Sequence, residues 1–248
     1  MDLILGFIDE VDQSEVDGIA VTYGPGLAGA LLVGLSFAKA YALALGVKLI
    51  GVNHLEGHLY SPFLSEQKPA LPYLCLVVSG GHSQLVLVEE GFRHTTLGRT
   101  RDDAAGEAFD KVGKMLGLEY PGGPYVDRLA AQGDPTFLDL PRTYLDDGAY
   151  SFSGIKTAVL YTLRDQLDAD AFLNDHLVDI CASFQAAVID MLMRPFEAAI
   201  EATGVRDIAI VGGVSANRGL RARASQLAER RSLRLHVPEP RFCTDNAA

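Results

Sequence analysis

The chain has 248 residues, of which 48% are apolar and 21% are charged, a balance typical of soluble globular proteins. The formal net charge of −11 argues against a surface built as a whole for binding nucleic acid. Three widely spaced cysteines argue against a disulfide framework or a zinc knuckle and favour a reducing, cytoplasmic compartment. No signal peptide is expected, because the first ten residues include Asp2 and Asp9 and lack a basic region.

The first part of the chain predicts a helix and then a βαβ unit. Apolar residues recur at helical spacing over Met1–Val16. Gly18–Tyr23 and Lys48–Val52 predict two parallel strands joined by an apolar helix, Leu27–Leu45. That helix is long enough to span a membrane, but it contains Lys39 and lacks basic flanks. We therefore expect a buried core helix and no membrane contact.

The rest of the chain predicts a second α/β lobe. The polar, proline-containing segment Gln67–Pro72 indicates a boundary that divides the chain into lobes 1–72 and 73–248. Thr100, Asp102 and Asp103 are expected to cap the first helix of the second lobe. The predicted elements are strands Tyr73–Ser79, Ser83–Glu89 and Phe92–Gly98, helices Ala104–Leu116, Tyr125–Ala131, Ser153–Leu167 and Ala171–Ala202, strand Asp207–Val211, helix Ala216–Arg230 and strand Leu233–Val237.

Two histidines, His54 and His58, lie four residues apart directly after the second predicted strand. On a helix they share one face, where two imidazoles can bind a single metal ion. A helix start with two exposed histidines is the alternative. The carboxyl end of a parallel strand is where open α/β sheets place their sites. Glu56 does not directly follow the first histidine, so the general base of a His-Glu-x-x-His protease is missing.

Three Gly-Gly turns lie at the ends of predicted strands or helices: Val77–His82, Pro121–Pro124 and Val211–Asn217. Backbone N–H groups approach an anion closely at glycine, which has no Cβ, and helix N-termini attract phosphate. Each turn taken alone is explained without a ligand. The three together predict a nucleotide cleft.

Three charged features each have two interpretations. The i,i+4 pairs Glu107–Lys111 and Asp110–Lys114 fit a solvated salt-bridge ladder as well as a functional helix. Eight arginines between Arg206 and Arg241, against three acidic residues, form either a basic patch for a polyanion or a solvated helix. Asp245 is either a metal ligand or a helix cap.

Taken together, these residues resemble the TsaD/Gcp family of tRNA adenosine threonylcarbamoyltransferases, formerly labelled O-sialoglycoprotein endopeptidases. The order and spacing match the family from about Gly18 to the last residue. The resemblance implies an actin/Hsp70/sugar-kinase (ASKHA) fold, with two ribonuclease-H-like lobes around a cleft and the first lobe incomplete. The matching stretches are Thr22–Gly26, Ala28–Leu31, Asn53–His58, Val77–His82, Asp102–Lys111, Tyr120–Pro124, Ser151–Lys156, Gly212–Asn217 and Thr244–Asn246.

The resemblance implies transfer of a threonylcarbamoyl group from threonylcarbamoyl-AMP to the exocyclic amine of the tRNA adenosine adjacent to the anticodon. It implies that His54, His58 and Asp245 bind one Fe²⁺ or Zn²⁺ per subunit. The implied partners are tRNA, a TsaB-like paralogue and a TsaE-like ATPase. The implied substrate-binding residues are Val77, Val78, Ser79, Gly80 and Gly81, with Asp110, Gly123, Asp127 and Asn217 on the nucleotide part.

Family members begin with a strand hairpin of the type Gly-Ile-Glu-Thr-Ser-Cys-Asp and end with a further helix. This chain shows neither, so we expect a reading frame that is truncated at both ends or misannotated. Three other functions are alternatives. A non-catalytic TsaB-like scaffold predicts no metal ligands at His54, His58 and Asp245, and small-molecule carbamoyltransferases usually carry long extra domains. A sugar kinase would share the fold but gives the histidine pair no role.

Overall fold

The computed structural model describes residues 12–243, and the statements below concern this part of the chain. Residues 1–11 of the predicted helix Met1–Val16 fall outside it, and residues 12–16 contain a 3₁₀ turn at Gln13–Glu15. The chain forms two compact units, whose described parts are residues 12–58 and 59–243. The lobes 1–72 and 73–248 stay a prediction.

The first unit is a βαβ unit, as the sequence predicts. Strand β1 (Gly18–Gly24) pairs in parallel with β2 (Lys48–Asn53), and helix α1 (Ala28–Leu45) connects them. Helix α1 ends at Gly46, which adopts the left-handed conformation that glycine accepts without strain. Helix α2 (His54–Tyr60) follows β2 directly. The Asn53 side chain starts this helix, because its Oδ1 accepts a hydrogen bond from Leu55 N at 2.9 Å.

The prediction that the first long helix is buried is wrong for the described residues. Only Ala38 and Ala42 of α1 are buried, whereas Leu32 is 64% exposed and Leu43 is 84% exposed. Apolar residues occur all round α1, and a sheet of two strands covers only one side of it. By length and composition alone, α1 and the later helix Ala169–Thr203 are apolar enough to cross a membrane.

The second unit contains a five-stranded sheet with the order β5-β4-β3-β6-β7. The first three strands form an antiparallel meander, and β3, β6 and β7 are parallel to one another. Every residue of the adjacent strands β3 and β6 is buried, which explains their continuous apolar sequences. The strands are β3 (Tyr73–Val78), β4 (Ser83–Val88), β5 (His94–Arg99), β6 (Asp207–Val211) and β7 (Arg234–His236).

Helices complete the core of this unit. Helix α6 contributes buried residues between Ile180 and Ile200 to this core. The rings of Phe109 on α3 and Phe184 on α6 meet edge to face, with centroids 5.2 Å apart. Both side chains are almost fully buried. The helices are α3 (Ala105–Met115), α4 (Gly122–Ala130), α5 (Ser153–Arg164), α6 (Ala169–Thr203), α7 (Arg218–Arg231) and α8 (Pro240–Cys243).

The predicted caps of α3 are wrong. The N-cap residue is Ala104, which provides no side-chain hydrogen bond, and Ala105 N donates instead to Ser83 Oγ at 2.9 Å. Asp102 and Asp103 bind side chains distant in sequence, which the local pattern does not reveal. Asp102 Oδ2 accepts a hydrogen bond from the hydroxyl of Ser151 at 2.6 Å. This bond attaches the segment before α5 to the segment before α3.

Candidate functional site

The three glycine turns meet around one cavity of about 600 Å³ within the second unit. Each turn contributes to its wall, through Gly80, Gly123 and Gly213 respectively. Four further predicted or flanking residues line it: Asp110, Tyr120, Asp127 and Asn217. The structure thus brings together segments more than 130 residues apart in the sequence.

The first turn connects β3 to β4 and is held by the start of α3. Ser79 N donates to His82 O at 2.8 Å, which closes the turn. A Cβ added to Gly106 would lie 2.6 Å from Ser79 O, so glycine is required for α3 to approach this closely. Of the predicted residues here, Gly80 lines the cavity. The other four do not line it: Val77 and Val78 are fully buried in β3, Ser79 is half-buried and Gly81 is exposed.

The second turn is attached to α3 by Asp110, whose Oδ1 accepts a hydrogen bond from Gly122 N at 2.8 Å. Helix α4 therefore begins at Gly122, three residues before the predicted start. A Cβ on Gly122 would lie 2.8 Å from Phe109 O, which explains the glycine at this contact. Tyr120, just before the turn, is 85% exposed at the edge of the cavity.

The third turn follows β6. Gly212 has a φ of +89°, and a Cβ there would lie 2.5 Å from Val78 O on the neighbouring strand. Both observations require glycine. The turn ends at Asn217, which caps α7: its Oδ1 accepts from Leu220 N at 2.9 Å. Asn217 is only 8% exposed although it lines the cavity.

Asp127 on α4 joins the second turn to the third. Its Oδ2 accepts from Nε of Arg218 at 2.8 Å, and its Oδ1 accepts from Arg218 N at 3.1 Å. The Arg218 guanidinium also donates to the backbone oxygen of Asp127 at 3.0 Å. These bonds orient the Asp127 carboxylate toward the first turn of α7 without any ligand.

Glu107 and Lys111 of α3 form a cluster of ion pairs outside the cavity lining, together with two residues from neighbouring segments, Asp103 and Lys156. Lys111 lies 2.8 Å from Glu107 and 2.7 Å from Asp103, and Lys156 on α5 also bonds Asp103 at 2.8 Å. Burial acts to raise the pKa of Asp103, but the hydrogen bonds from the two lysines outweigh it and lower that pKa. Hydrogen bonds to Asp103 and Glu107 raise the pKa of Lys111. Of the two predicted i,i+4 salt bridges, the structure thus shows Glu107–Lys111. Asp110 instead accepts a hydrogen bond from Gly122 N.

The arginine-rich stretch is largely neutralised by carboxylates. Glu197 on α6 lies 3.1 Å from Arg230 and 3.6 Å from Arg223, and Glu201 pairs with Arg231 at 2.5 Å. The arginines on α7 that pair with a carboxylate contact α4 or α6. Six of the eight arginines in the stretch have a carboxylate partner: Arg218, Arg223, Arg230, Arg231, Arg234 and Arg241. The pairs favour the interpretation in which these arginines attach helices over that of an open basic patch.

The predicted metal ligands His54 and His58 lie on one face of α2. Their ring centroids are 4.5 Å apart with an interplanar angle of 63°, and His58 is 2% exposed. Two imidazoles at this separation fit a shared ion. Asp245, the third predicted ligand, lies outside the described residues. Within residues 12–243, no group of three or more His, Cys, Asp or Glu side chains is placed to hold a metal ion.

Sequence reasoning missed several residues that build the cavity. Gly106 and Tyr120 belong to stretches that match the family, but the sequence predicts no role for either of them. The sequence indicates Arg218 only as one arginine of a basic stretch. Gln185, which bonds Asn217, carries no local signal at all, since it lies in the middle of a long helix.

Comparison with solved structures shows the fold. HypF, in a crystal structure of its phosphate- and nucleotide-bound form, superposes with a TM-score of 0.68 at 11% identity, covering 99% of this chain and 39% of that one. An activator of 2-hydroxyisocaproyl-CoA dehydratase from Clostridium difficile with bound ADPNP gives a TM-score of 0.56 at 14% identity, covering 100% and 77%. The α/β fold of the ASKHA type is confirmed.

Sequence comparison shows the family. A protein from Salinibacter ruber named tRNA N6-adenosine threonylcarbamoyltransferase is 58% identical over 96% of this chain and 72% of its own length. A protein of the same name from Geotalea uraniireducens is 54% identical over 96% of this chain and 69% of its own length. The family model TsaD, described as tRNA N6-adenosine threonylcarbamoyltransferase, matches residues 6–248. The chain therefore belongs to the TsaD family of tRNA N6-adenosine threonylcarbamoyltransferases.

Proposed function

We propose that the cavity binds the nucleotide part of threonylcarbamoyl-AMP during transfer of the threonylcarbamoyl group to tRNA. The reaction is that of the family: the acceptor is the exocyclic N6 amine of an adenosine, here the one adjacent to the anticodon. One observation carries the proposal for the cavity. Three glycine turns and the side chains of Asp110, Asp127 and Asn217 meet around a single space.

The groups around the cavity suit a nucleoside phosphate. Glycine N–H groups and the start of α7 favour the negative charge of a phosphate. Asp110 Oδ1 is occupied by Gly122 N, so its Oδ2 is the oxygen proposed to accept from a ribose hydroxyl. The glycine donors near Gly80 and Gly213 are proposed to stabilise the phosphate as it leaves.

We further propose that His54 and His58 bind one divalent ion, either Fe²⁺ or Zn²⁺, as the resemblance implies. Their rings lie 4.5 Å apart on one helical face, and imidazole nitrogen is a preferred ligand of both ions. When bound, the ion would supply Lewis acidity toward the carbamoyl-side oxygens. Asp245 stays a predicted third ligand.

The TsaB-like and TsaE-like partners, the absence of membrane contact and the cytoplasmic location stay predictions. The relatives described above are named as transferases, so they lend no support to a non-catalytic scaffold or to a small-molecule carbamoyltransferase.

The metal assignment is tested by the metal content of the purified chain. We expect one Fe or Zn per chain in the wild type and a strong reduction in His54→Ala, His58→Ala and Asp245→Ala. His94→Ala, on the edge strand β5, is the matched control and should keep its metal. Equal metal content in all variants would overturn the assignment.

The cavity is tested by titration calorimetry with AMP and by transfer of the threonylcarbamoyl group to tRNA. Asp110→Ala and Asn217→Ala should weaken AMP binding and slow transfer. Asp170→Ala, an exposed residue in the first turn of α6, should change neither. Unaltered AMP affinity in the cavity variants would contradict the proposal.

A further inference from the structure

Gln185 on α6 makes a buried hydrogen bond with Asn217, the residue that caps α7. Asn217 Nδ2 donates to Gln185 Oε1 at 2.6 Å, and both residues are 8% exposed. Asn217 lines the cavity, whereas Gln185 does not. Gln185 therefore acts on the cavity only through Asn217.

A backbone group fixes the orientation of both side-chain amides. Leu220 N is a donor only, so the Asn217 atom that it meets at 2.9 Å must be the oxygen, Oδ1. The amide nitrogen of Asn217 then faces Gln185, which must present its own oxygen. The chain of bonds from Leu220 to Gln185 thus leaves one arrangement for each amide.

There is little room for another arrangement. A Cβ added to Gly219 would lie 2.9 Å from Gln185 Nε2 and 2.8 Å from Ile189 Cδ1. Helices α6 and α7 are therefore in close contact beside the bond, and the Gln185 side chain is enclosed between them.

We propose that Gln185 is a positioning residue that holds Asn217 as a hydrogen-bond donor toward the nucleotide. A primary amide has two N–H groups, and only one of them is used by Gln185. The other N–H is available to the cavity, whereas Oδ1 is committed to α7. The nucleotide atom that Asn217 meets is accordingly an acceptor, either a ring nitrogen or an oxygen. This inference rests on the proposed function of the cavity.

Kinetics with threonylcarbamoyl-AMP and tRNA separate positioning from general stability. Gln185→Leu removes the acceptor and should raise KM for threonylcarbamoyl-AMP about tenfold, the loss of roughly one hydrogen bond, with kcat within about twofold. Gln185→Glu keeps an acceptor oxygen and should stay close to the wild type. Asn217→Asp keeps the cap on Leu220 but removes the donor, and should raise KM at least as much as Gln185→Leu.

Ser183→Ala is the matched control. Ser183 is a buried polar residue of the same helix, and its Oγ accepts from Leu138 N at 3.0 Å, away from Asn217. This variant should lower the melting temperature without raising KM. If Ser183→Ala raises KM as much as Gln185→Leu does, the effect follows stability and the positioning role is wrong. Unchanged KM in Gln185→Leu, or equal losses in the Leu and Glu variants, also overturns it.

The side-chain amide NMR signals of Asn217 test the orientation without any nucleotide. The two Nδ2 protons should be well separated in the wild type and in Ser183→Ala, and the separation should collapse in Gln185→Leu. Addition of AMP should shift the proton that is not bonded to Gln185. Identical signals in the wild type and Gln185→Leu would overturn the inference even if AMP binds. The expected signals without any AMP binding would instead overturn the proposed function of the cavity.

Discussion

Arg218 and Asp127 are joined by two hydrogen bonds to the carboxylate, one from the guanidinium Nε at 2.8 Å and one from the backbone N–H at 3.1 Å. The Asp127 side chain is 13% exposed, whereas that of Arg218 is 62% exposed. Both residues line the cavity. The carboxylate proposed to contact the nucleotide is therefore held in place by hydrogen bonds within the protein.

Arg218→Ala should weaken AMP binding several-fold and leave the melting temperature nearly unchanged. The reason is that the pair lies at the exposed edge of the cavity, where it orients Asp127 more than it stabilises the fold. Titration calorimetry and thermal unfolding provide the two measurements. The control is Arg230→Ala, an arginine of the same helix that pairs with Glu197 and does not line the cavity. Equal loss of affinity in both variants would contradict an orienting role.

Tyr120 is expected to provide a surface on which a base stacks, because its ring is 85% exposed at the edge of the cavity. Tyr120→Ala should reduce AMP affinity about 5- to 30-fold, equivalent to about 1–2 kcal/mol of stacking. Tyr120→Phe should bind as the wild type does. Tyr161→Ala, an exposed tyrosine on α5, is the control variant. Wild-type affinity in Tyr120→Ala would rule out this role.

Gly212→Ala should lower the free energy of unfolding by about 1–3 kcal/mol, measured by urea denaturation. A Cβ there would meet Val78 O at 2.5 Å, and the φ of +89° is unfavourable for alanine. The adjacent Gly213→Ala is the matched control, because no atom lies within 4 Å of its added Cβ. It should stay within about 0.5 kcal/mol of the wild type. Similar losses in the free energy of unfolding at both positions would show that the contact with β3 does not cause the loss.

Asp207 should contribute to unfolding at acid pH. It is 2% exposed, which acts to raise its pKa, but hydrogen bonds from Arg234 at 2.9 Å and His236 at 2.7 Å outweigh burial. The pKa of the folded state therefore lies below the ordinary value of 3.8. A lowered pKa stabilises the fold above the unfolded value, and this stabilisation is lost as the pH falls through the folded pKa.

The free energy of unfolding should accordingly decrease less steeply below about pH 5 in Asp207→Asn than in the wild type. Urea denaturation at a series of pH values gives this slope. Asp170→Asn, exposed on α6, should keep the wild-type slope. Parallel curves for the wild type and Asp207→Asn would show that this carboxylate does not drive acid unfolding.

The elements of the fold follow from local patterns, and most of their bounds agree with the sequence to within three residues. Strand β6 is one example, because a buried strand between helices reads as an unbroken apolar run. Capping at Asp102 and the burial of α1 were predicted wrongly. The Asp102 carboxylate binds Ser151, which is distant in the sequence. The burial of α1 depends on which elements pack against it, and the periodicity of its own sequence does not reveal them.

For the cavity, the sequence predicts the glycine turns but not what holds them. A turn has a local signature in Gly, Pro and Asn, and three such turns suggested one cleft. The bonds from Arg218 to Asp127 and from Asn217 to Gln185 join residues 91 and 32 positions apart. Such contacts arise only once the chain has folded, so neither charge counts nor spacing predict them.

The parallel pairing of β3 with β6 also has a consequence for biosynthesis. Tyr73 pairs with Asp207, so one edge of β3 stays unpaired until 134 further residues have been translated. During that interval β4 protects the other edge, while the open edge of a fully apolar strand is able to pair with other nascent chains. The cavity, which needs Asn217, is completed only after this interval. Slow translation between the two strands would therefore favour aggregation over folding.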